Sequence, residues 1–593
     1  MDTKSSNLRL QVPTPEQTRL SFCKPTVRDL TAWIQNLPKA NIGETARLLY
    51  QALLELNNFI TTPETRVQLL ELLRPEVLFV NSQLEKHFLN NSVMLDERPQ
   101  KVANLCQALQ KHLTTGYKLV IAGTQHQRTP ILALALQRTA HSMFISLVRT
   151  YQLYFAAPPL FWLELHQVYW LARKQSLHAL AIRDPMLTNV REQSVEAAYC
   201  CALLLSCSRI NQMRQSDIAV LARALPSWTH LATLQNASLE TSLFVVDLNS
   251  DAPPRYKELI EQDTVQTRIG LNTLALAQAL IEYQQPDASP TLKKTIDVPQ
   301  GMSSTLLAQL CSAWGNIAKR DFQRINSKGM LQACIGMSAV HYYLSDQESF
   351  ESTLKSQQTA CAQYQVDSGP ADLWSDVNDD HNHHEHNPLS VDLLEHTDAR
   401  DEDGSTQTVG ALYPSYALAI VNHSPGGYCL AWHTAIPAQL QAGEIIALRE
   451  DDDKPWATAV IRWIRQTGND HTQMGVELIA PNAQPCGLQL LRSSEKSSHF
   501  LRALLVPQIQ ALSRPASVIA PRIPFQEGNK VAINQQGTEL TATLTKRSMH
   551  TGSISQFEYS ILGAPLQPDP AQHSADEHAV HNTENFDALW KAL

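Results

Sequence analysis

The chain has no surplus of cations: over 593 residues, 57 acidic side chains against 48 basic ones leave a formal charge of -9. A protein of that sign is not expected to hold DNA, RNA or an anionic membrane through bulk electrostatics, which requires a basic surface. No CxxC pair occurs among its 10 cysteines, which are scattered through apolar surroundings and include the adjacent Cys200 and Cys201. That usage fits buried reduced thiols and speaks against both a disulfide framework and a zinc ribbon. The most apolar stretch, AAYCCALLLSC at 197–207, falls short of the roughly 20 residues that span a bilayer. The opening MDTKSSNLRLQVPTPEQ has neither the cationic start nor the apolar core of a secretory signal. A cytoplasmic location and no transmembrane segment are expected.

Enzyme signatures are also missing. There is no GxxxxGK[ST] phosphate loop, no GxGxxG after a strand and no HExxH, and the stretch after Gly336 (GMSAV) lacks the final glycine of a nucleophile elbow. No catalytic residue, resident cofactor or metal site is therefore assigned. Imidazoles at His381, His383, His384 and His386 lie close enough to hold a transition metal, but low-complexity His tracts are commonly weak, adventitious sites.

What is present is ample core material. With 43% hydrophobic residues, 18% charged residues and 10 tryptophans, the chain is expected to fold into two to four domains. The fold class is α+β multidomain, opening with a large all-helical region. Thr26 with Asp29 three residues on resembles a capping box, and Leu30, Trp33, Ile34 and Leu37 share one helical face. A second helix over 44–56 carries Leu48, Leu49, Leu53 and Leu56, and Thr62-Pro63 starts a third that Pro75 is expected to end. Further amphipathic runs cover 101–116, 132–154, 160–180 and 195–213, without a fixed repeat.

Texture changes near Leu243. A strand is expected at 243–248, helices at 271–283 and 304–314, and a second strand over 330–343. From 352 to 410 the composition turns to Asp, His, Asn and Ser with almost no cations, an acidic His-rich insertion expected to stay solvated. Short strands at 416–422, 428–432, 444–449, 456–465 and 474–479 suggest a small barrel. An additional C-terminal β section follows at 530–534, 539–546 and 556–562, then a tail ending in NFDALWKAL, a short amphipathic segment. The expected organisation is a helical domain (1–235), a mixed region (236–345), the insertion (346–410), the barrel (411–495), the C-terminal β section (496–563) and a flexible tail (564–593).

Two short motifs flank the insertion. Arg320 and Arg324 stand four apart just before the 330 strand, and Asn422-His-Ser424-Pro-Gly426-Gly427 lies at a strand-to-strand turn. Guanidinium forks take phosphate oxygens bidentately and stack on purines, a carbonyl with a hydroxyl reads a purine edge, and glycines allow close backbone approach. Together they describe a site for an anionic purine nucleotide. The plainer readings are an ion-paired arginine face and an ordinary turn.

In these residues the chain resembles the PilZ family, small β-barrels that bind the bacterial second messenger cyclic di-GMP. The family's RxxxR matches Arg320 and Arg324, and its [D/N]xSxxG matches Asn422, Ser424 and Gly427. VIRWIR (460–465) and GVELI (475–479) resemble its later strands. The resemblance covers about 320–479 and implies that the arginines grip phosphates and guanines while Asn422 and Ser424 contact a guanine. It departs from the family in the long insertion between the motifs, an excursion whose loop-closure cost grows only logarithmically. The resemblance implies a bacterial signalling receptor in which a PilZ-like module regulates a helical scaffold that binds an unidentified protein partner. The alternatives are a degenerate PilZ-like adaptor that binds proteins without nucleotide, and a metal-dependent enzyme using the His cluster. Trp432, Trp456 and Trp463 are read as core residues rather than a stacking platform.

Overall fold

The computed structural model describes residues 10–562 except 90–92, 188, 240, 261–267, 286–295, 316–323, 355–411, 434–435, 452, 468–470, 492–497 and 509–514. Two compact units emerge. The first comprises Met1–Gly329, Ala419–Gly443 and Ile461–Glu477, the second Met330–Leu418, Glu444–Val460 and Leu478–Leu593. The acidic insertion, its histidine cluster and the C-terminal tail lie outside the described residues.

The first unit opens with helices α1 (Val27–Gln35), α2 (Ile42–Asn58), α3 (Pro63–Glu85), α4 (Glu97–Thr124), α5 (Pro130–Gln152) and α6 (Phe161–Lys174). The small hairpin β1 (Ile182–Arg183) and β2 (Glu192–Gln193) precedes α7 (Val195–Cys207) and α8 (Gln215–Trp228). Side-chain caps begin α1 and α3 as the sequence indicates: Thr26 accepts from the Asp29 N–H at 3.1 Å and Thr62 from the Thr65 N–H at 3.3 Å. Pro75 does not end α3, contrary to expectation. The ring costs one backbone bond, but Leu69, Leu70 and Leu73 before it and Val77, Val80 and Leu84 after it are all buried along the same helix. Each such side chain contributes about 1.5–3 kcal/mol by leaving water, which outweighs the lost bond.

Helix α5 is long and apolar enough to cross a membrane, yet most of it is buried within the helical core. Length and apolarity at that position reflect burial by neighbouring helices. Asp184, in the β1–β2 loop, is fully buried and bonded by both Arg74 Nη atoms at 2.7 Å, with Arg138 Nη1 at 3.0 Å. Burial alone would raise its carboxyl, but the Arg74 fork, seconded by Arg138, holds it down at about 2. The loop is thereby tied to α3 and α5.

A four-stranded sheet follows: β3 (Thr233–Asn236), β4 (Phe244–Asp247), β5 (Arg255–Tyr256) and β6 (Arg268–Asn272), in the order β3-β6-β4-β5. Helices α9 (Leu274–Gln284) and α10 (Ser304–Gly315) complete this section, and Trp228 and Trp314 meet edge to face within its core.

Strands β7 (Ile325–Asn326) and β8 (Met330–Ile335) lead to α11 (Met337–Leu344) and α12 (Phe350–Leu354). The single strand expected over 330–343 is thus a strand and a helix. Gly336, at φ +91°, turns the chain between them, while the run of small apolar residues suits either conformation. Beyond the insertion come β9 (Tyr416–Ser424), β10 (Gly427–Trp432), β11 (Ile445–Arg449), β12 (Ala457–Gln466) and β13 (Thr472–Ala480). They form the sheet order β10-β13-β12-β11-β8-β9, with β9 also pairing β10 and β7 added beside β9. This is a closed six-stranded PilZ-like barrel with one short outer strand.

The C-terminal β section is a barrel in its own right: β14 (Gln484–Leu490), β15 (Leu501–Val506), β16 (Ser517–Pro521), β17 (Lys530–Gln535), β18 (Thr538–His550) and β19 (Ile554–Ile561) close in the order β14-β15-β16-β19-β18-β17. Phe557 fills its interior beside Leu544 and Ile533, while Tyr559 is half-buried and Ile561 exposed. Within the second unit Val340 of α11 shares a core with Ile445, Trp456, Leu504 and Ile554. Strands of both barrels contribute to that core.

Candidate functional site

The NHSPGG stretch makes the connection between β9 and β10. Gly427 pairs with Ser424, Tyr428 with His423 and Cys429 with Asn422, which leaves Pro425-Gly426 as a two-residue loop. Ser424 Oγ donates to the Gly427 carbonyl at 3.4 Å. Asn422, Ser424 and Gly426 are half-buried and Pro425 is exposed at the tip. Gly427 has φ +154°, and a Cβ there would stand 2.0 Å from the Val476 carbonyl oxygen. Only glycine lets β10 approach β13 this closely, so a packing demand explains this residue without any ligand.

The arginine motif reaches the hairpin through a two-residue strand. In β7, Ile325 pairs with His423 and Asn326 with Asn422, antiparallel. One step back along that register, Arg324 stands opposite Ser424, and it is exposed. Ser327 Oγ and His423 Nδ1 lie 2.9 Å apart and pin the segment. Arg320 lies outside the described residues. The structure therefore brings Arg324, Asn422, Ser424, Gly426 and Gly427 into one neighbourhood.

The row continues across the barrel wall. Asn422 pairs with Cys429 and Cys429 with Gly475. The Trp463 indole occupies the space a side chain at 475 would take, its Nε1 lying 1.9 Å from that imagined Cβ. Two cations flank this row. Burial raises the Cys429 thiol pKa, and the charges of Arg324 and Arg465 act against that rise. Arg465 bonds Gln473 at 2.7 Å, and Arg462 pairs with Glu477 at 2.6 Å. Positive charge, hydrogen-bonding groups and a half-buried indole thus lie close together on a chain that is acidic as a whole. Such a set can take an anionic planar ligand.

Sequence reading placed Trp432, Trp456 and Trp463 in the core. The first two are buried, but Trp463 is half-buried above Gly475. Arg465 was passed over; its signal was the RWIR spacing inside a strand, which gives a cation and an indole two residues apart on one side. Among the described residues no cluster of His, Cys, Asp or Glu has the makings of a metal site.

Comparison with known proteins assigns the whole length. The family described as "Cyclic-di-GMP receptor FimW, N-terminal domain" matches 28–239, "Cyclic-di-GMP receptor FimW, middle PilZ domain" matches 243–485, and "FimW C-terminal beta-barrel domain" matches 486–562. The Cyclic-di-GMP receptor FimW of Pseudomonas aeruginosa is 45% identical over 613 aligned residues that span 100% of both chains. No solved structure matches.

Proposed function

The chain belongs to the FimW family of cyclic-di-GMP receptors, and from that premise we propose that it binds cyclic di-GMP on the barrel wall formed by the β9–β10 hairpin and β7. The carrying observation is the ladder register that sets Arg324 opposite Ser424, although the acidic insertion separates them in sequence. Arg324 takes a phosphate or stacks on a guanine through its planar fork, and Arg320 is the second cation of the motif. Asn422 and Ser424 supply the carbonyl and hydroxyl that read a guanine edge. Gly426 keeps the tip of the hairpin low enough for the ligand to pass.

The protein acts by binding rather than by a reaction. Its helical N-terminal domain is the surface that meets a protein partner. The described cysteines are free, which fits a reducing cytoplasmic setting. Calorimetric titration of the full chain with cyclic di-GMP at physiological salt tests the assignment. Saturable binding of one site class supports it; no heat and no displacement by the ligand would replace the receptor with the nucleotide-free adaptor.

A further inference from the structure

Strand β12 ends in two residues that face opposite ways. Arg465 is exposed beside the nucleotide wall, while Gln466, 9% exposed, points into the protein. The Gln466 N–H donates to the Tyr154 carbonyl at 3.0 Å, and its side-chain Nε2 donates to the carbonyl of Val93, in the α3–α4 loop. Both acceptors belong to the helical domain, which lies in the same compact unit as this end of β12.

Tyr154 is the node of the joint. It follows the C-terminus of α5 with a left-handed backbone, φ +59°, a region that costs energy for a residue with a side chain and persists only where the surroundings impose it. Its hydroxyl donates to the Met213 carbonyl at 3.0 Å. The next residue, Arg214, is the N-cap of α8 and donates from Nε to the Ala442 carbonyl at 3.2 Å. The end of α5 and the start of α8 are therefore each bonded to a segment that flanks the wall: the first to the end of β12, the second to the stretch that follows β10. Arg465, one residue from the joint, bonds Gln473 at 2.7 Å and acts with Arg324 on the Cys429 thiol. A cation on the ligand side of the strand thus adjoins the bonds that hold a strained helix end.

We propose that Gln466 is a positioning residue that passes occupancy of the nucleotide wall to the helical domain, an inference that rests on the reading of that wall as the cyclic di-GMP site. The element with two states is the corner after α5. In the fastened state Gln466 makes both bonds and Tyr154 is left-handed; in the released state the bonds are broken and Tyr154 relaxes to a negative φ. A ligand held through Arg465 binds the fastened state more tightly, because release of the end of β12 displaces that guanidinium. Differential affinity of this kind lowers the released population when the ligand is bound.

The test is amide hydrogen exchange on the full chain, without cyclic di-GMP and with it at a concentration that calorimetry shows to be saturating. In the wild type, amides at 153–155 and at Gln466 are expected to exchange about fivefold more slowly with ligand. Gln466→Met keeps the bulk and removes the donor to Val93. It should still bind the nucleotide and protect the hairpin at 422–429 as the wild type does, but lose the slowing at 153–155. If that variant loses its cooperative melt, Tyr154→Phe, which removes only the hydroxyl bond to Met213, takes its place with the same expectation. Saturable binding with slowing confined to the hairpin, or full slowing at 153–155 in a folded variant, overturns the relay and leaves the nucleotide site standing. Absence of heat in the calorimeter overturns the reading of the wall, and the relay with it.

Discussion

Asn326 pairs with Asn422 across the β7–β9 ladder, and that register carries Arg324 to the position opposite Ser424. A charge-assisted contact from this guanidinium is expected to contribute about 1.5–3 kcal/mol to holding a phosphate, so Arg324→Ala should weaken cyclic di-GMP binding by roughly tenfold to a hundredfold. Arg324→Lys should weaken it as well, because an ammonium keeps the charge and loses the bidentate fork and the stacking plane. Ser424→Ala removes a neutral hydroxyl and should cost less, about 1 kcal/mol. Calorimetry on the three variants checks the ranking. Wild-type affinity in Arg324→Ala would place the ligand elsewhere.

Gly427 separates the structural from the ligand-facing part of the same motif. Adding a methyl group there drives it against a backbone oxygen, with Val476 O at 2.0 Å, and backbone cannot swing aside as a side chain does. Gly427→Ala should destabilise the fold by about 1–3 kcal/mol, read as a lower urea midpoint. Gly426, half-buried and without a positive φ, should accept alanine at smaller cost. Equal midpoints for the two variants would contradict the close approach of β10 to β13.

The caps at Thr26 and Thr62 and the strands of the first barrel were legible because they depend on local chemistry: a threonine hydroxyl three residues from a helical N–H, or short strand-forming runs set off by turn residues. Pro75 and the 330–343 segment were not, because tertiary packing overrides the proline in α3 and Gly336 redirects an ambiguous apolar run. The site was half legible. Asn422, Ser424 and Gly427 form a contiguous turn signal, but the adjacency of Arg324 arises from a two-residue strand whose pairing has no pattern of its own. Trp463 was misassigned because a strand tryptophan two residues from a cation can face either way until Gly475 is known to lie beneath it.

Asp184 ties the β1–β2 loop to α3 and α5 through two buried arginines, Arg74 and Arg138, whose side chains are 3% and 2% exposed. Asp184→Ala leaves both near one another without their shared carboxylate, and breaking a buried pair from one side costs about 3–5 kcal/mol. Chemical denaturation should register that loss. With a folded pKa of about 2 against an ordinary 3.8, the carboxylate's contribution is complete above about pH 3.8 and disappears as pH falls through 2. The wild-type protein should therefore lose more stability than Asp184→Ala on acidification across that window.

Two buried imidazoles of the helical domain set a second, milder acid window. His166 Nε2 lies 3.0 Å from the Ala252 carbonyl, which can only accept, so Nε2 carries the proton and Nδ1 accepts from the Tyr199 hydroxyl at 2.8 Å. Burial pushes both His166 and His141 down to about 4 from the ordinary 6.5. Between those values the unfolded chain binds protons that the folded chain refuses, so each site removes about 1.4 kcal/mol of stability per pH unit as pH falls. Above 6.5 both states hold the rings neutral and the contribution is flat. Urea unfolding at pH 7.5, 6.5, 5.5 and 4.5 should show a plateau followed by a decline, and His166→Gln should make that decline shallower by about one proton. A profile that stays level from 6.5 down to 4.5 would mean that the folded protein takes up these protons, and would overturn the neutral assignment of both rings.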